Sequence, residues 1–204
     1  MKKALIITDM QRDFMPGGAL GVSGANHMIP MINQLMLKFS HVLAVRDFHP
    51  INHVSFASTH GKRVGETVTV GASEQILWPD HCVQGTRGAE LADGLSIERI
   101  EAIFNKGTDP SVDSYSAFFD SKRHQSTGLE KYLKNHKLQD LYFVGVATDY
   151  CILYSVLDAL ALGFIVSVII DACRAINRKL GDEKKSIDIM QSKGAQIIES
   201  LKVF

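Results

Sequence analysis

The stretch Leu141-Tyr142-Phe143-Val144-Gly145-Val146-Ala147-Thr148-Asp149-Tyr150-Cys151 constrains this chain more than any other. It opens as an unbroken run of strand-forming apolar residues, the pattern of a strand buried on both faces. The run breaks at Gly145 and Ala147. Thr148 and Asp149 are good N-cap types, and a helix-like run follows from Tyr150 to Leu162. This predicts Cys151 in the first turn of a helix, just past the carboxyl end of a buried strand. Backbone N–H groups there lack partners and the helix dipole favours an anion, which lowers a thiol pKa and offers donors to an oxyanion. A lone cysteine also reads as a small buried hydrophobe. Spacing alone leaves both readings open, so the partners of Cys151 have to decide.

The rest of the chain supplies strands of the same kind. Ala4 to Thr8 is an apolar run ending at Asp9, and Val42 to Val45 ends at Arg46-Asp47. Ile100 to Phe104 leads into Asn105-Lys106-Gly107. Phe164 to Ile170 and Gln196 to Ile198 complete the set. Between them, apolar residues at helical spacing predict a helix over residues 24–39, with shorter ones over Leu129 to His136 and Asp182 to Ser192. Strands alternating with helices predict an α/β fold, a doubly wound parallel sheet with helices on both faces. Residues from about 48 to 96 are irregular and rich in Gly, Ser, His and Pro. That is long for a connection, so they read as an inserted lid within a single domain spanning 1–204.

Composition excludes several classes. The chain has 204 residues, with 22 Lys plus Arg against 22 Asp plus Glu. Zero formal charge gives no electrostatic footprint for nucleic acid or an anionic membrane. Cys82, Cys151 and Cys173 are an odd count in a chain too large to need staples, which points to a reducing, cytoplasmic setting. The apolar run after Lys2-Lys3 stops within four residues, too short for a signal sequence, and Ile152 to Ile170 parses as helix, glycine turn and strand. A monomer or small homo-oligomer fits.

In a doubly wound sheet, ligands bind beyond the carboxyl ends of the strands. Three predicted strand ends carry Asp9, Lys106 and Cys151. A carboxylate can take the thiol proton and return it to a leaving amine, and an ammonium can hold the thiolate and carboxylate together. The backbone N–H groups of Ala147 and Cys151 are candidate oxyanion donors. A second group lies in and beside the irregular segment. Asp47 and His49 face the same way on an extended strand, and His81 follows the stiff Trp78-Pro79-Asp80. One carboxylate and two imidazoles make a three-ligand metal set with open positions, to which Ser55 can add a weak oxygen. The other histidines, His53 among them, read as hydrogen-bonded loop residues. Phe14, Leu20, Trp78 and Tyr115 are candidates for the apolar walls of a small aromatic pocket, though plain core packing explains them equally.

Five segments resemble a known family when taken together. They are Asp9-Met10-Gln11-Arg12-Asp13-Phe14, Asp47-Phe48-His49-Pro50, the run from Trp78 to Thr86, Lys106-Gly107, and Gly145 to Cys151. In order and over the whole chain they look like the nicotinamidases of the isochorismatase-like cysteine hydrolase superfamily. The resemblance implies a six-stranded parallel sheet and a catalytic triad of Asp9, Lys106 and Cys151. It also implies a cis peptide between Val146 and Ala147. A divalent metal would sit on Asp47, His49 and His81, zinc foremost, with iron or manganese as alternatives. The implied reaction is hydrolysis of nicotinamide to nicotinate and ammonia in NAD salvage, with pyrazinamide as a second substrate. Arg12 stands where Asn is frequent, and Ser55 where some relatives carry a third His. The competing reading is a related amide hydrolase acting on a carbamoyl or ureido substrate without metal, against which Asp47, His49 and His81 argue.

Overall fold

In the computed structural model, which describes residues 2–71 and 73–203, six strands form one parallel sheet. They are β1 (Lys2–Thr8), β2 (Val42–Asp47), β5 (Ala102–Lys106), β6 (Leu138–Val146), β7 (Ile165–Arg174) and β8 (Gln196–Ile198). Their order is β5-β2-β1-β6-β7-β8. From β1 the chain winds outward through β2 to β5, then returns to the other side of β1 for β6, β7 and β8. The winding reverses between β1 and β6, where a doubly wound sheet opens its crevice.

The apolar runs explain the burial. Leu5, Ile7, Ala44, Val144 and Val146 face one core, against α1 (Ile29–Met36). Ala4, Ile6, Leu43, Val45, Leu141 and Phe143 face the other, against α2 (Leu129–Asn135), α3 (Leu153–Ala161) and α4 (Asp182–Ser192). Alternation along a strand therefore feeds two cores, and each fully buried Leu or Phe contributes about 1.5–3 kcal/mol. Gly145 is required where β6 passes β1. Its φ is 116°, and a Cβ there would sit 2.0 Å from the Thr8 carbonyl oxygen.

The structure departs from the sequence reading in four places. The helix expected over 24–39 is split into a 3₁₀ turn, Ala25–Met28, and α1. Pro30 has no N–H to donate and lies in the first turn of α1, so the α-helix begins beside it. The helix expected from Tyr150 begins as a π turn, Thr148–Ile152, and becomes α-helical at Leu153. The third strand starts at Ala102, after a 3₁₀ turn at Ile97–Arg99. Finally, the segment taken as irregular holds an antiparallel hairpin, β3 (Thr67–Val70) and β4 (Ser73–Ile76). Among the described residues no helix is long and apolar enough to cross a membrane.

Candidate active site

β1, β5 and β6 end side by side around the crevice. Asp9 follows β1 and is fully buried, Lys106 is the last residue of β5, and Cys151 lies in the π turn after β6. The ammonium of Lys106 stands 3.1 Å from Asp9 Oδ2 and 3.4 Å from Cys151 Sγ. The thiol sulfur and an oxygen of the Asp9 carboxylate lie within 4.8 Å of each other. The three residues on three predicted strand ends therefore meet in one place.

Burial sets their electrostatics. It pushes the Asp9 carboxyl up to about 7, against the pull of Lys106. The same burial, helped by the charge of Asp9, holds the Cys151 thiol well above its ordinary value, with Lys106 opposing. This corrects the expectation of a thiol acidified by a helix start. The π turn lies in a closed crevice, and desolvation of the thiolate outweighs the dipole. Burial works to discharge Lys106, but Asp47 and Asp9 overcome it and keep it firmly cationic.

The second group assembles beside the first. Asp47 ends β2, and its backbone is clamped by Gln11, whose Nε2 donates to the Asp47 carbonyl at 2.7 Å while its Oε1 accepts from the Asp47 N–H at 2.8 Å. His49 pairs with the 81–84 segment: its N–H donates to the Cys82 carbonyl at 3.0 Å and its carbonyl accepts from Gln84 at 2.8 Å. That pairing carries His81 to its place. His49 Nε2 lies 3.5 Å from Asp47 Oδ1, and His81 Nε2 lies 3.8 Å from Asp47 Oδ2. All three donor atoms fall within 4.8 Å of one another.

The donor set fits a divalent metal. His49 Nδ1–H donates to the Gly107 carbonyl at 2.8 Å and His81 Nδ1–H to the Pro79 carbonyl at 2.7 Å. Spending each Nδ1 on a carbonyl turns both Nε2 lone pairs toward Asp47, the outer-shell pattern of metal-ligating histidines. Gly107 is needed for this approach, since a Cβ there would come within 2.3 Å of the His49 ring. Ser55 donates its hydroxyl to His53 Nδ1 at 2.7 Å, leaving its own lone pairs free. His53 stacks on His49 with ring centroids 4.1 Å apart. Burial lowers its pKa to about 4, and both its nitrogens are engaged, Nε2 with the Val112 carbonyl at 3.3 Å. It is a hydrogen-bonded histidine, as its sequence suggested, but it lies directly behind a metal donor.

Sequence reasoning missed the link between the two groups. The Lys106 ammonium also makes a tight ion pair with Asp47, so one cation bridges the thiol, the Asp9 carboxylate and the carboxylate of the candidate metal set. Nothing in spacing reveals this, because Asp9, Asp47 and Lys106 come from three separate strands.

Phe14, Leu20, Trp78 and Tyr115 all line the crevice, together with Ala147 and Cys151. Trp78 Nε1 donates to the Tyr115 hydroxyl at 3.0 Å, and Phe14 meets His81 edge-on at 5.5 Å. Asp113, Ser114, Tyr150 and Ile176 complete the walls and were not foreseen. Tyr150 had a signal, being the neighbour of Cys151. Ile176 had none, because the loop after β7 reaches the crevice only through the fold. The Val146–Ala147 peptide is cis.

Comparison with known proteins agrees with this architecture. The isochorismatase domain model matches residues 3–201. A nicotinamidase of Acinetobacter baylyi is 45% identical over 198 residues, covering 97% of this chain and 92% of that protein. The solved nicotinamidase pyrazinamidase of Acinetobacter baumanii superposes with a TM-score of 0.95 at 41% identity, covering 100% of this chain and 98% of that one. A pyrazinamidase of Pyrococcus horikoshii, solved in complex with zinc, gives 0.80 at 38% identity, over 98% and 99%. With a model that spans nearly the whole chain and a relative sharing 45% of its residues, this chain belongs to the isochorismatase domain family.

Proposed function

We propose that the chain is a nicotinamidase, an amidohydrolase that converts nicotinamide to nicotinate and ammonia in NAD salvage, and pyrazinamide to pyrazinoate. The observation that carries the reading is the meeting of buried Asp9 and Lys106 with Cys151, which lines an aromatic pocket whose other wall is the Asp47, His49 and His81 set. The identity to curated nicotinamidases over almost the full chain supports it.

In this reading Cys151 Sγ attacks the carboxamide carbon while its proton passes to Asp9. The raised Asp9 pKa suits a base that must also give the proton back. The negative charge on the carbonyl oxygen is received by the backbone N–H groups of Ala147 and Cys151. Asp9 then protonates the amine, ammonia leaves, and a thioester remains on Cys151. Water attacks it, Asp9 takes up that proton, and nicotinate is released with the thiol restored. Lys106 holds Asp9 and the sulfur in register throughout and lowers the cost of the buried anion. Phe14 and Trp78 pack the ring.

Asp47, His49 and His81 would hold a divalent metal, with zinc favoured by the imidazole and carboxylate donors and by the zinc-bound relative. Ser55 would offer a further oxygen. The bound ion would supply a Lewis-acidic position for the pyridine nitrogen. Three free buried cysteines suit a reducing compartment such as the cytoplasm.

The test is ammonia release from nicotinamide, pyrazinamide and benzamide by zinc-loaded and metal-stripped protein. Nicotinamide and pyrazinamide should be good substrates. Benzamide lacks the ring nitrogen and should be about 10- to 200-fold poorer, with the gap closing when zinc is removed. No ammonia from nicotinamide would refute the reading, and equal rates for benzamide with zinc present would remove the metal from substrate recognition.

A further inference from the structure

The pocket described above is narrow. About 20 Å3 of it is open to the centre of a water molecule, yet a flat aromatic ring has to enter and leave. Some wall must move, and the walls are held unequally. Phe14 and Trp78 are buried, whereas Ile176 is half-buried and is followed by exposed residues 177–181.

The root of this loop is fixed. The N–H groups of Ile176 and Asn177 donate to the Asp149 carboxylate at 2.9 and 2.7 Å, and Asp149 belongs to the same π turn as Cys151. Beyond that anchor the backbone turns through a left-handed residue, Asn177 at φ 52°, and turns again at Gly181, φ 90°, where α4 begins. Arg178 lies between the two bends. Its Nη2 donates to the Gly65 carbonyl at 2.9 Å, and its guanidinium lies 5.5 Å from the centre of the Trp78 ring. Gly65 in turn donates to the Leu77 carbonyl at 2.7 Å, next to Trp78. One exposed side chain thus ties the loop after β7, which carries Ile176, to the segment carrying Trp78, and both Ile176 and Trp78 line the pocket.

We propose that Arg178 is the latch of this pocket: it straps residues 177–181 to the Gly65–Trp78 segment, and substrate enters and product leaves when that strap opens. The identity of what passes rests on the nicotinamidase reading. Arg178 touches no reacting atom and is a positioning residue. Its planar guanidinium meets a carbonyl and a ring face at once, a geometry lysine cannot reproduce. Its contacts are solvent-exposed and so can break on the timescale of a lid.

Trp78 is the single tryptophan of the chain, so its fluorescence reports on this site directly. The experiment compares zinc-loaded wild type, Arg178→Ala and Arg178→Lys. Without ligand, acrylamide should quench Trp78 more strongly in Arg178→Ala, with Arg178→Lys between it and wild type. In stopped flow, nicotinate should bind and dissociate about tenfold faster in Arg178→Ala, while KM for nicotinamide rises, kcat does not fall, and Tm stays within about 2 °C of wild type. Quenching and nicotinate rates equal to wild type would overturn the latch. So would a large fall in Tm with kcat and KM degraded together, the mark of a structural brace; if Arg178→Ala does not fold, Arg178→Lys alone decides by the same rates. Should quenching rise as expected while wild type ignores nicotinate, the latch stands and the nicotinamidase reading falls.

Discussion

Lys106 couples the two halves of the site, and its position explains why both carboxylates can be buried at all. An isolated ionised carboxylate in a dry interior is very costly, whereas one shared cation offsets two. Two predictions belong at this scale. Cys151→Ala should lose nicotinamide hydrolysis by about three orders of magnitude or more, because nucleophile, base and oxyanion donors act as a unit. The protein should still fold and take up zinc; a residual rate within tenfold of wild type would mean another nucleophile. The second concerns pH. In the proposed mechanism Asp9 accepts the thiol proton only when ionised, and burial places its pKa at about 7. As pH falls through that value the ionised fraction drops, so kcat/KM should decline on the acid side, about tenfold per unit once below it. A rate profile measured from about pH 5 to 8 checks this, and a flat profile would move the base role away from Asp9.

At the scale of elements, the junction between β6 and α3 carries most of the chemistry, and it depends on β1 and β6 lying close together. Thr8 pairs with Gly145 in register, and a Cβ at 145 would strike the Thr8 carbonyl. Gly145→Ala should therefore force the strands apart at the point where Asp9 and Cys151 face each other. The strained φ alone costs about 1–3 kcal/mol, so Tm should fall by roughly 2–12 °C in a domain this size. Activity should fall further than the unfolded fraction accounts for, measured at a temperature where the variant is still folded. Activity lost only in step with unfolding would mean that this close approach does not set the catalytic geometry. The same junction shows where sequence patterns stop. The apolar run and the small residues after it were enough to place a strand end and a turn at Cys151. The π turn was not legible, since one extra residue per turn leaves no periodic mark over five residues.

For the whole molecule, the candidate metal set joins the end of β2 to the 81–84 segment, and the Lys106–Asp47 ion pair joins it to β5. Zinc bound to Asp47, His49 and His81 would bridge parts of the chain that meet only in the folded state. At a free concentration 100 times its Kd the ion should add about 2.7 kcal/mol of stability, or roughly 5–11 °C in Tm. Calorimetry of zinc-loaded and chelator-treated protein measures it, and an unchanged Tm would mean that these donors do not hold zinc in the native protein. Taken by itself, the sequence determined the parallel α/β architecture and brought Asp9, Lys106 and Cys151 to strand ends, because apolar runs buried on two faces and turn residues are local signals. It also marked Asp47, His49 and His81 as donors through their residue types. Only the tertiary structure decided how these groups act on one another: that Lys106 serves three partners, that burial raises the Cys151 thiol despite its place at a helix start, that His53 backs His49, that Ile176 lines the pocket, and that Arg178 reaches Gly65 and Trp78. Each of these depends on distances between segments far apart in the chain and on the water excluded between them, and neither quantity exists until the sheet has formed.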